Sequence, residues 1–401
     1  MRDLRILTLL LAGLAMLGPF AIDTYLPAFH LISRDFSVDN VLMQHTLSIY
    51  LLSFAVMSLF WGTLSDAFGR RPVILFSLFL FLAGSIGSAF APSYGWLLFF
   101  RALQGCSAGA GRIVGQALAR DRYHGAEAQR LFANIAMVFS LAPAIAPVVG
   151  GYLTAYVGWR SIFVLLTILT SLLIFANWRQ LPETLPAKSR QSLRLGPTLR
   201  NYVHVLRNVP FVFAIAAIGF AFSGFGLYIS SAARFIIDIL GLSETSFGWL
   251  FIPFIGGTVI GSMISSRLAG RMDAAKLIVI GQGVMLLGAV GNVLYNAFHI
   301  AEVPWAVVPI GVYGLGMSIA LPGMTVVTLS IFPRLRGMAS SVQSTMQMLV
   351  FALVSSFVAP LLFESALLLA WGSVGSALLC ISTWVISRRL FPKAAAADAA
   401  N

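Results

Sequence analysis

Three charged side chains stand well inside long apolar runs of this 401-residue chain: Asp23, Arg101 and Arg112. A charge in the interior of a bilayer is costly, and by default it marks a functional site with a partner nearby. Asp23, in AIDTYLPAF (21–29), lies about 17 residues along the first apolar run, roughly 25 Å from its start. Arg101, in FFRALQG (99–105), enters from the opposite side to a comparable depth. An acid and an arginine at matching height, on helices facing one cavity, would form an ion pair. Burial strengthens a carboxyl group's hold on its proton and a neighbouring cation weakens it. A carboxylate whose partner moves away is therefore a proton carrier, and the chemistry expected of Asp23 and Arg101 is proton coupling. The bland alternatives are a polar helix end at Asp23, held by Tyr25 or water ahead of Pro27, and an Arg101 that snorkels to a nearby surface. Arg112 follows about eleven residues after Arg101, nearly three helical turns, and shares its face. It either pairs with a backbone carbonyl or selects anionic compounds.

The elements that must position these groups are membrane helices. Hydrophobic residues make up 59% of the chain and charged residues 10%, against roughly a quarter charged in a soluble domain. Runs long enough to span, on the order of 20 residues, fall at 6–28, 41–61, 73–91, 96–119, 131–153 and 161–177. A second series falls at 211–231, 247–265, 277–298, 305–331, 338–360 and 366–387. The first run resembles a signal peptide in charge order, but its length, Asp23 and the spans that follow make it a retained helix. Between them, 179–208 loses hydrophobicity and gathers arginines with Pro182, Pro186 and Pro197. This divides the chain into an amino-terminal bundle (1–178), a linker (179–208) and a carboxy-terminal bundle (209–401). Lys and Arg concentrate in cytoplasmic loops. With the amino terminus inside, all but Arg34, Arg101, Arg112, Arg160 and Arg234 fall on that side, and both termini are expected in the cytoplasm. The net charge of +12 is then a property of loops facing an anionic leaflet, with no nucleic-acid partner.

The stretch GTLSDAFGRRP (62–72) sets an acid, two arginines and two glycines between the second and third runs. It resembles the loop motif of major facilitator transporters, which the family places at this point. The resemblance implies an all-α integral membrane fold of twelve helices in two pseudo-symmetric six-helix bundles. It also implies a conformational latch formed by Gly62, Asp66, Gly69, Arg70 and Arg71, with Arg120 and Asp121 of the neighbouring loop as partners. RLAGR (267–271) is a faint echo of the motif in the second half, without the acid. FFRALQG is similar to the family's fourth-helix pattern, an arginine followed by Gln and Gly. AIDTYLPAF looks like the first helix of the branch related to bicyclomycin and chloramphenicol exporters.

LAPAIAPVVGG (141–151) resembles the family's antiporter motif, although Ala146 stands where the family has glycine. Pro143 and Pro147 bend a helix, while Gly150 and Gly151 permit close helix approach. Tyr25, Tyr50, Arg112, Gln116, Phe139, Tyr228, Gln343 and Met346 are candidates for the substrate cavity, several of them equally suited to holding helices together. His residues are scattered with no ligand spacing and the two Cys lie in separate runs, so neither a metal site nor a cofactor is expected. Trp159 and Arg160 read as an interfacial anchor.

The expectation is a proton-coupled exporter of drugs or other small amphipathic compounds, acting as a monomer with only the bilayer and a small molecule as partners, in a bacterial cytoplasmic membrane. A specific metabolite, peptide or siderophore exporter and an uptake symporter remain the alternatives. A membrane enzyme would need a cluster of reactive groups that one intramembrane acid does not supply.

Overall fold

The computed structural model describes residues 2–123, 125–186, 188, 190, 195–269, 271–333 and 335–398. The chain divides into two compact units, Met1–Leu193 with Ser243–Gly248, and Arg194–Leu242 with Trp249–Asn401. One short segment of the second half of the sequence, 243–248, groups with the first unit.

The first unit contains α1 (Arg2–Asp23), α2 (Phe29–Phe36), α3 (Asn40–Phe68), α4 (Arg70–Ala89), α5 (Tyr94–Arg122), α6 (Gly125–Tyr156) and α7 (Arg160–Gln180). The first apolar run is not one helix. α1 stops at Asp23, a 3₁₀ turn at Leu26–Ala28 holds Pro27, and α2 begins beyond it. α2 ends at Ser37 in the left-handed conformation (φ 52°). Asp39 then starts α3 by accepting from Leu42 N–H at 2.7 Å, a helix cap supplied by a carboxylate. Within the unit, α5 packs on α3, α4 and α1, and α1 packs on α6.

The second unit contains α8 (Leu195–Arg207), α9 (Val209–Ser230), α10 (Gly248–Leu268), α11 (Ala274–Phe298), α12 (Val308–Leu329), α13 (Arg336–Leu353), α14 (Ala359–Leu362) and α15 (Ala366–Asp398). Single π-helical turns lie at Arg234–Ile239 and Val354–Val358. α9 packs on α15 and α13, and α11 packs on α12 and α15.

Among the described residues 10 helical stretches are long and apolar enough to cross a membrane. α5 and α6, of 29 and 32 residues, complete a set of twelve. α5 is polar for a spanning helix because it carries Arg101, Gln104, Arg112 and Gln116 along its length. Small residues compensate by letting the backbones close in. A Cβ on Gly111 would stand 2.8 Å from the Leu14 carbonyl oxygen, and one on Gly105 would stand 2.2 Å from that of Tyr50.

Candidate functional site

Arg101 is fully buried. Its guanidinium carbon lies 4.5 Å from the ring centre of Tyr25 and 4.4 Å from that of Tyr50, so two aromatic faces sandwich the cation. Such contacts contribute about 2 kcal/mol or more when desolvated. Nη1 donates to Gln104 Oε1 at 2.8 Å and to the Ala21 carbonyl at 3.3 Å. Gln104 is held in turn by donating to Ser85 Oγ at 2.9 Å. The rings are fixed by their hydroxyls, Tyr25 donating to Thr46 at 3.0 Å and Tyr50 to the Gly18 carbonyl at 3.1 Å. The fourth-helix pattern thereby acquires a mechanical meaning. Gln104 orients Arg101, and the bare Gly105 admits α3 closely enough to lay Tyr50 over the cation.

The ion pair expected between Asp23 and Arg101 is not formed in this structure. Asp23 is 4% exposed at the last residue of α1, and among the described residues its carboxylate makes no hydrogen bond or ion pair. Arg101 meets α1 instead through the carbonyl of Ala21, and its Nε and Nη2 are buried without a hydrogen-bond partner. The site thus holds an unpaired acid at the end of α1 and a cation with unused donors beside that end. An unused buried donor costs about 1–3 kcal/mol, and a hydrogen-bond acceptor brought to this guanidinium would recover it.

The other cavity candidates divide. Tyr25 and Tyr50 are closed supports of Arg101, because their rings are covered and their hydroxyls engaged, so neither is an open wall. Tyr228 is buried as well, accepting from Asn292 Nδ2 at 2.6 Å. Gln343 donates to Thr325 at 3.3 Å and so ties α13 to α12. Arg112 is exposed, and Gln116 and Met346 are half-buried. Phe139 lies on α6 with its side chain outside the described residues.

The loop motif forms a compact ionic knot. Arg70 Nη1 pairs with Asp66 at 2.5 Å and donates to Ser65 Oγ at 2.6 Å, while its Nε pairs with Asp121 at 3.1 Å. Gly69 joins α3 to α4 at φ 100°, a conformation L side chains rarely adopt. Gly62 is not part of the turn. α3 continues to Phe68, leaving Gly62 inside the helix with nothing within 4 Å of its Cβ position. Arg120 is exposed on the last turn of α5. Glu183, which no motif marks, completes the knot. Its carboxylate accepts from the backbone N–H groups of Arg70 and Arg71 at 3.1 and 3.2 Å, capping the positive end of α4. Thr184 adds a bond to Asp121 at 3.1 Å, and Arg71 donates to the Trp178 carbonyl at 2.5 Å.

α6 runs unbroken through Pro143 and Pro147. Its two glycines make separate close approaches: a Cβ on Gly150 would stand 2.1 Å from the Thr24 carbonyl oxygen, and one on Gly151 would stand 2.1 Å from that of Glu244. Gly150 therefore seats α6 against the chain just past Asp23. Trp159 and Arg160 are not a lipid anchor. Trp159 is buried, and both donate to Asp35 of α2, at 2.6 and 3.2 Å.

Two bundles of apolar helices, with a buried cation and an unpaired carboxylate inside the first, define a polytopic membrane protein. A family model for the Major Facilitator Superfamily matches residues 9–355. The chain belongs to that family, and it is a multi-pass transporter of small molecules rather than an enzyme. It is 28% identical to the bicyclomycin resistance protein homolog of Haemophilus influenzae, over 90% of this chain and 90% of that one. It is also 28% identical to multidrug resistance protein D of Escherichia coli, over 85% of each. Among solved structures it is similar to a bacterial homolog of the human lysosomal transporter Spinster, at a TM-score of 0.73 and 15% identity, covering 96% of this chain and 97% of that one.

Proposed function

We propose that the protein is a proton-coupled secondary transporter that exports drugs or other small amphipathic compounds by alternating access. Asp23 carries the proton and Arg101 is its switching partner. The arrangement at Arg101 carries this reading: a buried guanidinium keeps donors unused beside the end of α1, where Asp23 is unpaired as well. The resistance named in the relatives supports the substrate class.

In this cycle a proton arriving from outside neutralises Asp23, separates it from Arg101 and weakens the hold on the compound. The compound leaves outward. Release of the proton inward frees the carboxylate to pair with Arg101 again. In the protonated member of the cycle Gln104 and the two tyrosine faces hold the arginine in place of Asp23. Proton and compound drive one another because each binds the two states with different affinity. The knot of Asp66, Gly69, Arg70, Arg71 and Asp121, capped by Glu183, serves as the conformational latch on the cytoplasmic side. The protein acts as a monomer in a bacterial inner membrane with both termini inside, and its compounds are lipophilic.

Inverted vesicles energised to an acidic interior test the reading. Chloramphenicol or a lipophilic cation should dissipate the gradient in vesicles containing the protein and leave it intact in vesicles without it. Proton-driven uptake in right-side-out vesicles, with no response in inverted ones, would establish a symporter.

A further inference from the structure

The second unit carries a surface that the transport reading does not use. α8 is joined to α9 by the single residue Asn208, whose side chain caps α9 by accepting from Phe211 N–H at 3.0 Å. α9 is a candidate membrane span from its first residue, Val209. α8 therefore lies where that span leaves the membrane. One face of α8 is docked. Val205 is buried, and His204 meets Phe332 edge-on at 5.9 Å, the same ring that packs on Phe211. Another part of α8 is uncovered, where Val203 and Leu206 are exposed beside Arg200 and Arg207 and lead onto exposed Val209. α15 arrives at the same corner, since Ser387 donates to the Pro210 carbonyl at 2.7 Å. The next two residues, Arg388 and Arg389, are exposed. No Asp or Glu occurs in 184–237 or in 365–397, so neither stretch brings a carboxylate of its own to Arg207 or Arg389.

We propose that this corner binds an anionic phospholipid, with Arg207 and Arg389 holding its phosphate and Val203, Leu206 and Val209 meeting its acyl chains. The occupant must be acidic at its head and apolar below, and it must reach the corner from the membrane surface at which α9 begins. Only a membrane lipid meets all three conditions. A bound lipid here would pin the start of α9 and the end of α15 together.

Native mass spectrometry of the full-length protein, titrated with phosphatidylglycerol and separately with phosphatidylcholine, tests the site. Each basic residue near an anionic surface contributes on the order of a tenfold preference or somewhat less. The wild type should retain phosphatidylglycerol preferentially. R207A/R389A should retain it about tenfold or more weakly, and R207K/R389K should largely keep it, which separates lost charge from lost fold. R267A/R271A, a basic pair on another loop, should behave as wild type. Equal retention of the two lipids, undiminished retention in R207A/R389A, or displacement of the bound species by inorganic phosphate alone would overturn the proposal.

Discussion

The backbone of α5 at Gly105 touches that of α3 at Tyr50: a methyl group on Gly105 would stand 2.2 Å from the Tyr50 carbonyl oxygen. That contact sets the tyrosine ring 4.4 Å from the guanidinium of Arg101. A backbone oxygen cannot swing aside as a side chain can, so the helices must part to admit a Cβ. G105A should lower stability by about 1–3 kcal/mol and depress transport, both readable from thermal unfolding in detergent and from vesicle flux. Wild-type stability with full transport would show that the close approach is dispensable.

Tyr25 and Tyr50 hold Arg101 with their faces as well as being fixed by their hydroxyls. Y50F keeps the ring and should retain most transport, whereas Y50L removes the aromatic face and should lose roughly tenfold or more. R101K should fail, because an ammonium group is a compact, strongly hydrated charge and cannot keep the planar stacking between two rings while donating to Gln104. Initial rates of substrate-induced proton movement distinguish the three. Equal losses in Y50F and Y50L would assign the effect to the hydroxyl bond with Gly18.

Glu183 caps α4 through two backbone N–H groups. E183A should cost about 0.5–2 kcal/mol as a lost cap and loosen the chain that follows it, so limited trypsin digestion should cut faster between α7 and α8. E183Q keeps an acceptor and should lie between wild type and E183A. An unchanged cleavage rate in E183A would mean that the knot of Arg70, Asp66 and Asp121 holds the segment unaided.

Gly151 approaches the Glu244 carbonyl as closely as Gly150 approaches that of Thr24. G150A and G151A should both impair transport, and G150A should also disturb the chain next to Asp23. Fluorescence of a probe attached near Thr24, in an otherwise functional variant, reports the difference. An identical probe signal in both variants would show that neither glycine acts locally.

The motifs were legible where local sequence encodes a local contact. Arg101, Gln104 and Gly105 occupy neighbouring turns of one helix, and Asp66 and Arg70 stand on either side of the short turn at Gly69, so closeness in sequence brought them together. Depth along a helix gave the level of Asp23 but not its partner, because the choice between Asp23 and Gln104 for Arg101 depends on side-chain geometry. Hydrophobicity hid the end of α1. Residues 6–28 are apolar but for Asp23 and a few hydroxyl side chains, and only Asp23 and Pro27 hinted at the break that creates α2 and offers Asp35 to Trp159 and Arg160. Gly62 belongs to the loop motif in sequence yet sits inside α3, which runs on to Phe68. Glu183 could not be read at all, since its bond to Arg70 joins residues far apart in sequence and no periodicity links them.

Asp23 is the centre of the account, and proton release on substrate binding tests it most directly. Purified protein in weakly buffered detergent solution would be mixed with a compound that binds, and the pH change followed for wild type and D23N. Binding should expel a proton from the wild type, while D23N should bind the compound and release none. Equal proton release from D23N would place the carrier on another residue and leave Asp23 as a polar helix end.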